Sequence, residues 1–124
     1  MCVVYTSRVG YRGPGGLDIT VKSATVAGRI LAPEWAMVGG VKGWGGYAKL
    51  SVEEYTRQFY DLLRSRFRQD SQAFLSLLNH EQLVTLCYCR PDVFCHRHLV
   101  VDILGKIAQA RGLPFIRGGE LAVR

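Results

Sequence analysis

Between Leu83 and His98 the chain packs three of its four cysteines, two of its three histidines and two arginines into one short stretch. The lead-in, Leu83-Val84-Thr85-Leu86-Cys87-Tyr88-Cys89, is apolar and rich in strand formers. From about Cys95 to Arg111 the apolar residues Leu99, Val100, Ile103, Leu104 and Ile107 recur at helical spacing, and Gly112 is placed to end the helix. A strand, a short loop and a helix start are where α/β proteins place their ligands. A nearly unbroken apolar strand also needs cover on both faces, which calls for a parallel sheet.

The rest of the chain supplies the partners of that turn. Cys2 to Val9 reads as a first strand, whose Thr6-Ser7-Arg8 sets two hydroxyls and a cation at its carboxyl end. The glycine-rich turn from Gly10 to Gly16 leads to a short second strand, Leu17 to Val21. Ser51 with Glu54 makes a capping box, and Val52, Tyr55, Phe59, Leu62, Leu63 and Phe67 continue it as a scaffold helix. A short helix over 71–79 brings His80 near its end, where a cation suits the helix dipole. Leu113 to Arg117 is a last strand, parallel to the previous one through a right-handed crossover.

Residues 22–50 show no clear period. Ten of the fourteen glycines precede residue 50, and Trp35, Trp44 and Tyr47 alternate with Lys42 and Lys49. So long an irregular stretch in a compact domain is usually functional. As a lid, its aromatic side chains would stack on bases while its lysines meet phosphates. Alternatively, Trp35, Met37 and Val38 form a short helical plug on the core.

A chain of 124 residues reads as a single domain spanning 1–124, able to bury a core without staples. No apolar run reaches the length of a membrane span, and Met1-Cys2-Val3-Val4-Tyr5 lacks the layout of a signal peptide. The expected setting is cytoplasmic and reducing, where clustered cysteines favour metal ligation, catalysis or burial over disulfides. The net charge of +6 is uneven, with six Lys/Arg against two Asp/Glu in residues 1–50 and six against three in residues 83–124. Residues 51–82 carry four against five. An anionic small molecule or nucleic acid is the expected partner, set against a merely solubilising surface charge.

Side chains two apart on a strand share a face, so Cys87 and Cys89 point together and Tyr88 points away. Cys95 and His96 fall on the first helical turn and look inward. His98 lines up with Asp102 for a surface pair. Three mechanisms fit. Cys87, Cys89 and Cys95 with His96 or His98 offer the soft ligands zinc prefers, although Cys-x-Cys-x5-Cys-His lacks the usual Cys-x2-Cys knuckle. Cys95, at a helix N-terminus beside His96, Arg90 and Arg97, has the setting of a lowered thiol pKa and could be a nucleophile with His96 as acid/base. Third, the helix start with Arg90 and Arg97 could hold a phosphate without covalent chemistry. Simple burial is the alternative for each cysteine and is the reading taken for Cys2.

Cys87-Tyr88 followed by Cys95-His96-Arg97 resembles the signature of domain-of-unknown-function family 488 (DUF488). Tyr5-Thr6-Ser7, Ala32-Pro33-Glu34-Trp35 and Ser51-Val52-Glu53-Glu54-Tyr55 are also similar to stretches of that family, so the resemblance covers most of the chain. It departs at Cys89, where an acidic or other polar residue is expected after Cys-Tyr. The resemblance implies an α/β fold, a three-layer αβα sandwich. It implies no activity, and a link to nucleotide or nucleic-acid transactions is analogy that agrees with the charge distribution.

The expectation is therefore one α/β domain with a small, mostly parallel sheet and helices on both faces. Its site lies where Thr6, Ser7 and Arg8 face Cys89, Arg90, Cys95, His96 and Arg97. Cys95 and His96 would be the reactive pair, and Thr6, Ser7, Arg8, Arg90 and Arg97 would hold the anion of a nucleotide or nucleic acid. The alternative is a zinc-binding structural or interaction module on Cys87, Cys89, Cys95 and His96.

Overall fold

A computed structural model describes residues 1–89 and 94–123. Four strands, β1 (Cys2–Arg8), β2 (Gly16–Asp18), β3 (Gln82–Cys87) and β4 (Phe115–Glu120), form one sheet in the order β2-β3-β1-β4. Every pairing is parallel, so the α/β class holds and the sheet is wholly parallel. The helices are α1 (Trp35–Lys42), α2 (Val52–Gln69), α3 (Ser71–Leu78) and α4 (His96–Arg111). No helix among the described residues is long and apolar enough to cross a membrane.

Local chemistry sets the element bounds. Ser51 Oγ accepts from the Glu54 amide and Glu54 Oε1 accepts from the Ser51 amide, both at 3.0 Å, which closes the capping box of α2. Tyr55, Phe59 and Leu63, one turn apart, form its buried stripe. Asp70 stops α2 and caps α3 by accepting from the Ala73 amide at 3.2 Å. Strand β2 ends sooner than the run to Val21 suggested. The Asp18 carboxylate draws the Thr20 amide and hydroxyl to itself at 2.9 and 2.7 Å, and this local turn competes with further pairing.

Strand β4 lies against β1 and not against the preceding strand β3. It also runs past Arg117, because Gly118-Gly119 is a bulge inside the strand and not its end. Register shifts between Val4 and Tyr5, and Gly119 takes φ +88°, a conformation glycine adopts freely. The extra residue brings Glu120 opposite Thr6.

The buried apolar residues of α2, α3 and α4 fall in one cluster with Cys2, Val4, Leu17 and Leu83 from a single face of the sheet. Helices were expected on both faces. On the other face, the ring of Tyr11 in the β1–β2 loop and the side chain of Leu86 flank Gly16. Cys2 is buried in the core, as its apolar reading expected. This arrangement puts the carboxyl ends of β1 and β3 side by side, with Arg8 paired to Cys87 in register.

The irregular stretch resolves into a turn, a 3₁₀ turn at Arg29–Leu31, and α1. Gly39 explains why no period was visible. A Cβ there would collide with the Tyr47 ring, so the segment after α1 folds back over a residue without a side chain. Met37 is the helical plug on the core, whereas Trp35 remains 47% exposed.

A cysteine–histidine centre at the floor of an aromatic cleft

Strand β3 delivers Cys87 to the core face at its last residue, and Cys95 is the N-cap of α4 with His96 as its first residue. Cys89 lies beyond the strand end, yet it joins the same group. The Sγ atoms of Cys87, Cys89 and Cys95 all lie within 4.8 Å of one another. Three thiols this close can hold a metal ion. His96, also buried, brings Nδ1 to 3.8 Å from Cys87 Sγ and 3.7 Å from Cys95 Sγ. Its ring meets Phe59 of α2 edge-on at 5.6 Å between centroids, and its Nε2 lies 2.8 Å from the Ile19 carbonyl.

The thiols are electrostatically unequal. A hydrogen bond from the Cys95 thiol, opposed by burial, draws the Cys87 thiol down to about 3. Cys95 moves the other way, since it donates that hydrogen bond and is buried beside a thiolate. The sequence placed the low-pKa thiol at Cys95 because of the helix N-terminus. Without a metal, the negative charge settles on Cys87 and Cys95 keeps its proton. Burial, followed by the neighbouring sulfurs, pushes the Tyr55 phenol upward.

Of the residues expected to hold an anion, Thr6, Ser7 and Arg97 have internal partners, although Arg97 Nη2 is buried without one among the described residues. Thr6 Oγ1 donates to Glu120 Oε1 at 2.5 Å, and Ser7 Oγ donates to the Leu121 carbonyl at 2.7 Å. Arg97 is completely buried. Its Nε donates to Glu120 Oε1 at 3.2 Å and its Nη1 to the Cys89 carbonyl at 3.0 Å. Arg8 is exposed, and Arg90 lies outside the described residues. His98 does not pair with Asp102 among the described residues, because Asp102 accepts from Arg117. Burial, then the Arg97 charge, lowers the His98 pKa. His80 sits where the dipole argument put it, with Nδ1 3.1 Å from the Ser76 carbonyl at the end of α3.

Above the sulfurs opens a cleft of about 210 Å³. Trp35, Trp44, Tyr88 and Phe94 line it, with Lys22 and Lys42 among its polar groups. The two indoles are 6.4 Å apart and tilted by 37°. Lys22 Nζ lies 5.7 Å from the Tyr88 ring centroid, and Lys42 Nζ donates to Cys89 Sγ at 3.8 Å. The Tyr88 hydroxyl is 2.8 Å from Ser23 Oγ, whose own proton goes to Asp18 Oδ2 at 2.6 Å. Among the described residues the cleft thus takes its cations from the stretch 22–50 and not from Arg97. Glu120 and the Ile19 carbonyl were missed. A bulge aims the first, and the second is a backbone atom with no signature in side-chain spacing.

No curated protein and no solved structure matches the chain. A family model described as DUF488-N3a, the active DUF488-N3 subclade, matches residues 9–108, a span that runs from the end of β1 through most of α4 and takes in all three clustered cysteines. The chain belongs to the DUF488 family.

Proposed function

We propose that the protein binds a nucleotide, or an exposed nucleotide of a nucleic acid, in the aromatic cleft, above a zinc ion held by Cys87, Cys89 and Cys95. The observation that carries this reading is the convergence of three thiols on the floor of a cleft walled by two indoles and bordered by two lysines. Flat aromatic walls suit the face of a base, and Lys22 and Lys42 suit its phosphate. The cleft is smaller than the ~300–1,000 Å³ of drug-sized pockets, which fits a base better than a larger ligand. Both tryptophans of the chain border the cleft, so their fluorescence reports on it directly. Titration with adenosine 5′-monophosphate and with a short single-stranded oligonucleotide should quench that emission to saturation, more weakly at high salt. No saturable change with either would remove the nucleotide reading. Elemental analysis of protein purified without chelator should find about one zinc per chain.

A second reading is favoured by the imidazole, whose Nδ1 lies 3.7 Å from Cys95 Sγ. In it the centre is metal-free, and Cys95 and His96 form the reactive pair, with Nδ1 taking the thiol proton when sulfur attacks. Rapid alkylation of the native protein at neutral pH, with no zinc present, would select this reading. Protection of all three thiols until zinc is stripped would select the first.

A further inference from the structure

Three thiolates leave a tetrahedral zinc one ligand short. A candidate fourth donor lies beside two of the sulfurs. His96 Nε2 is 2.8 Å from the Ile19 carbonyl oxygen. A carbonyl can only accept, so Nε2 carries the ring hydrogen, and in the neutral imidazole Nδ1 is then a bare lone pair. That lone pair belongs to the atom 3.8 Å from Cys87 Sγ and 3.7 Å from Cys95 Sγ. With Zn–S near 2.3 Å and Zn–N about 2.0–2.1 Å, neighbouring ligand atoms of a tetrahedral centre lie roughly 3.5–3.8 Å apart. These two of the three edges already have about the length the metal would impose, and metal binding would have to draw Nδ1 toward Cys89 as well.

Charge points to a second participant. Three thiolates and a neutral imidazole around Zn²⁺ sum to one negative charge. Lys42 Nζ stands 3.8 Å from Cys89 Sγ, and Lys42 is the last residue of α1, which begins at the cleft residue Trp35.

Building on the zinc reading above, we infer that His96 is the fourth ligand through Nδ1, closing the coordination sphere, and that Lys42 couples the cleft-wall helix α1 to the charge of the centre. The ion then shapes the cleft and holds its wall. It has no open position for the bound molecule.

The test uses the full chain with cobalt(II) in place of zinc. Wild type should show the intense visible bands of a four-coordinate cobalt centre, with sulfur-to-metal charge transfer in the near ultraviolet. His96→Ala should weaken cobalt binding at least tenfold, and added imidazole should restore the wild-type spectrum. Long-range proton–nitrogen spectra of the zinc-loaded wild type need no variant, and should show Nδ1 as the metal-bound nitrogen and Nε2 as protonated. Lys42→Met should leave the cobalt spectrum unchanged but weaken binding several-fold, with Lys42→Arg recovering most of the loss. Wild-type protein that takes up neither zinc nor cobalt would overturn both the inference and the zinc reading. Unchanged affinity and spectrum in His96→Ala would overturn the fourth ligand alone and leave the three-sulfur site standing. Unchanged affinity in Lys42→Met would overturn the coupling to α1.

Discussion

Arg97 Nη1 donates to the Cys89 carbonyl at 3.0 Å, so a wholly buried cation from the first turn of α4 pins the backbone that carries the third sulfur. Its Nε is held in turn by Glu120, which also accepts from Thr6. The sequence offered Arg97 to an outside anion, whereas the fold supplies an internal carboxylate.

Removing that carboxylate's charge should therefore be costly. Glu120→Gln leaves the Arg97 charge buried with weaker compensation. Because the Glu120 side chain is 25% exposed, the loss should fall below that of a fully buried pair, at about 2 kcal/mol of unfolding free energy by urea denaturation. Metal or ligand affinity should fall with it, since Cys89 is positioned through Arg97. Wild-type stability in this variant would show that the network contributes little.

The thiol pair gives the metal-free protein a distinctive pH profile. Cys87 is drawn down from 9.0 to about 3, and Cys95 is raised above 9.0. Between those values the unfolded chain holds two thiol protons and the folded chain one, so stability rises with pH up to about 9. Above that the unfolded chain holds none while the folded chain keeps one, and stability falls again. Urea midpoints measured in the presence of chelator should peak near the ordinary thiol pKa, and replacing Cys87 and Cys95 together by alanine should flatten the profile.

If bases stack in the cleft, Trp35→Ala should weaken binding of adenosine 5′-monophosphate by about 1–3 kcal/mol, the usual worth of one stacked base. The fold should survive, because this side chain is 47% exposed. Lys22→Ala should instead reduce the salt dependence of oligonucleotide binding, read from affinities at several ionic strengths.

At the start of α2, Ser51→Ala should cost about 1 kcal/mol by removing the cap. The Glu54 carboxyl is held below its ordinary value of 4.5, first by its hydrogen bond from the Ser51 amide. A lowered carboxyl stabilises the fold at pH above its unfolded value. That contribution is lost as pH drops from about 4.5 through the folded value, and Glu54→Gln should remove this part of the acid dependence.

What was legible in the sequence followed regular spacing. The capping box, the stripe Tyr55–Phe59–Leu63, strand β3 and the inward turn of Cys95 and His96 all rest on periods that side chains obey locally. Where the reading failed, a single residue redirected the chain. Gly118-Gly119 read as a stop and is a bulge, which conceals Glu120. Gly39 permits a close chain approach that no period records. The spacing read Cys87 and Cys89 as neighbours on one strand, pointing to one face. The strand ends at Cys87, and the bend beyond it brings Cys89 round to the others.

Cys87 and His96 are nine residues apart in sequence, whereas His96 and the Ile19 carbonyl are separated by 77. By the logarithmic dependence of ring closure on length, the short loop closes at an entropic cost about 2 kcal/mol lower than the long one. The sulfur-and-imidazole loop can therefore gather around an ion while most of the chain is still unfolded, and the sheet then arrives to lock the ring in place. Refolding from urea should accelerate with zinc present from the first instant, and should accelerate less when zinc is added after collapse.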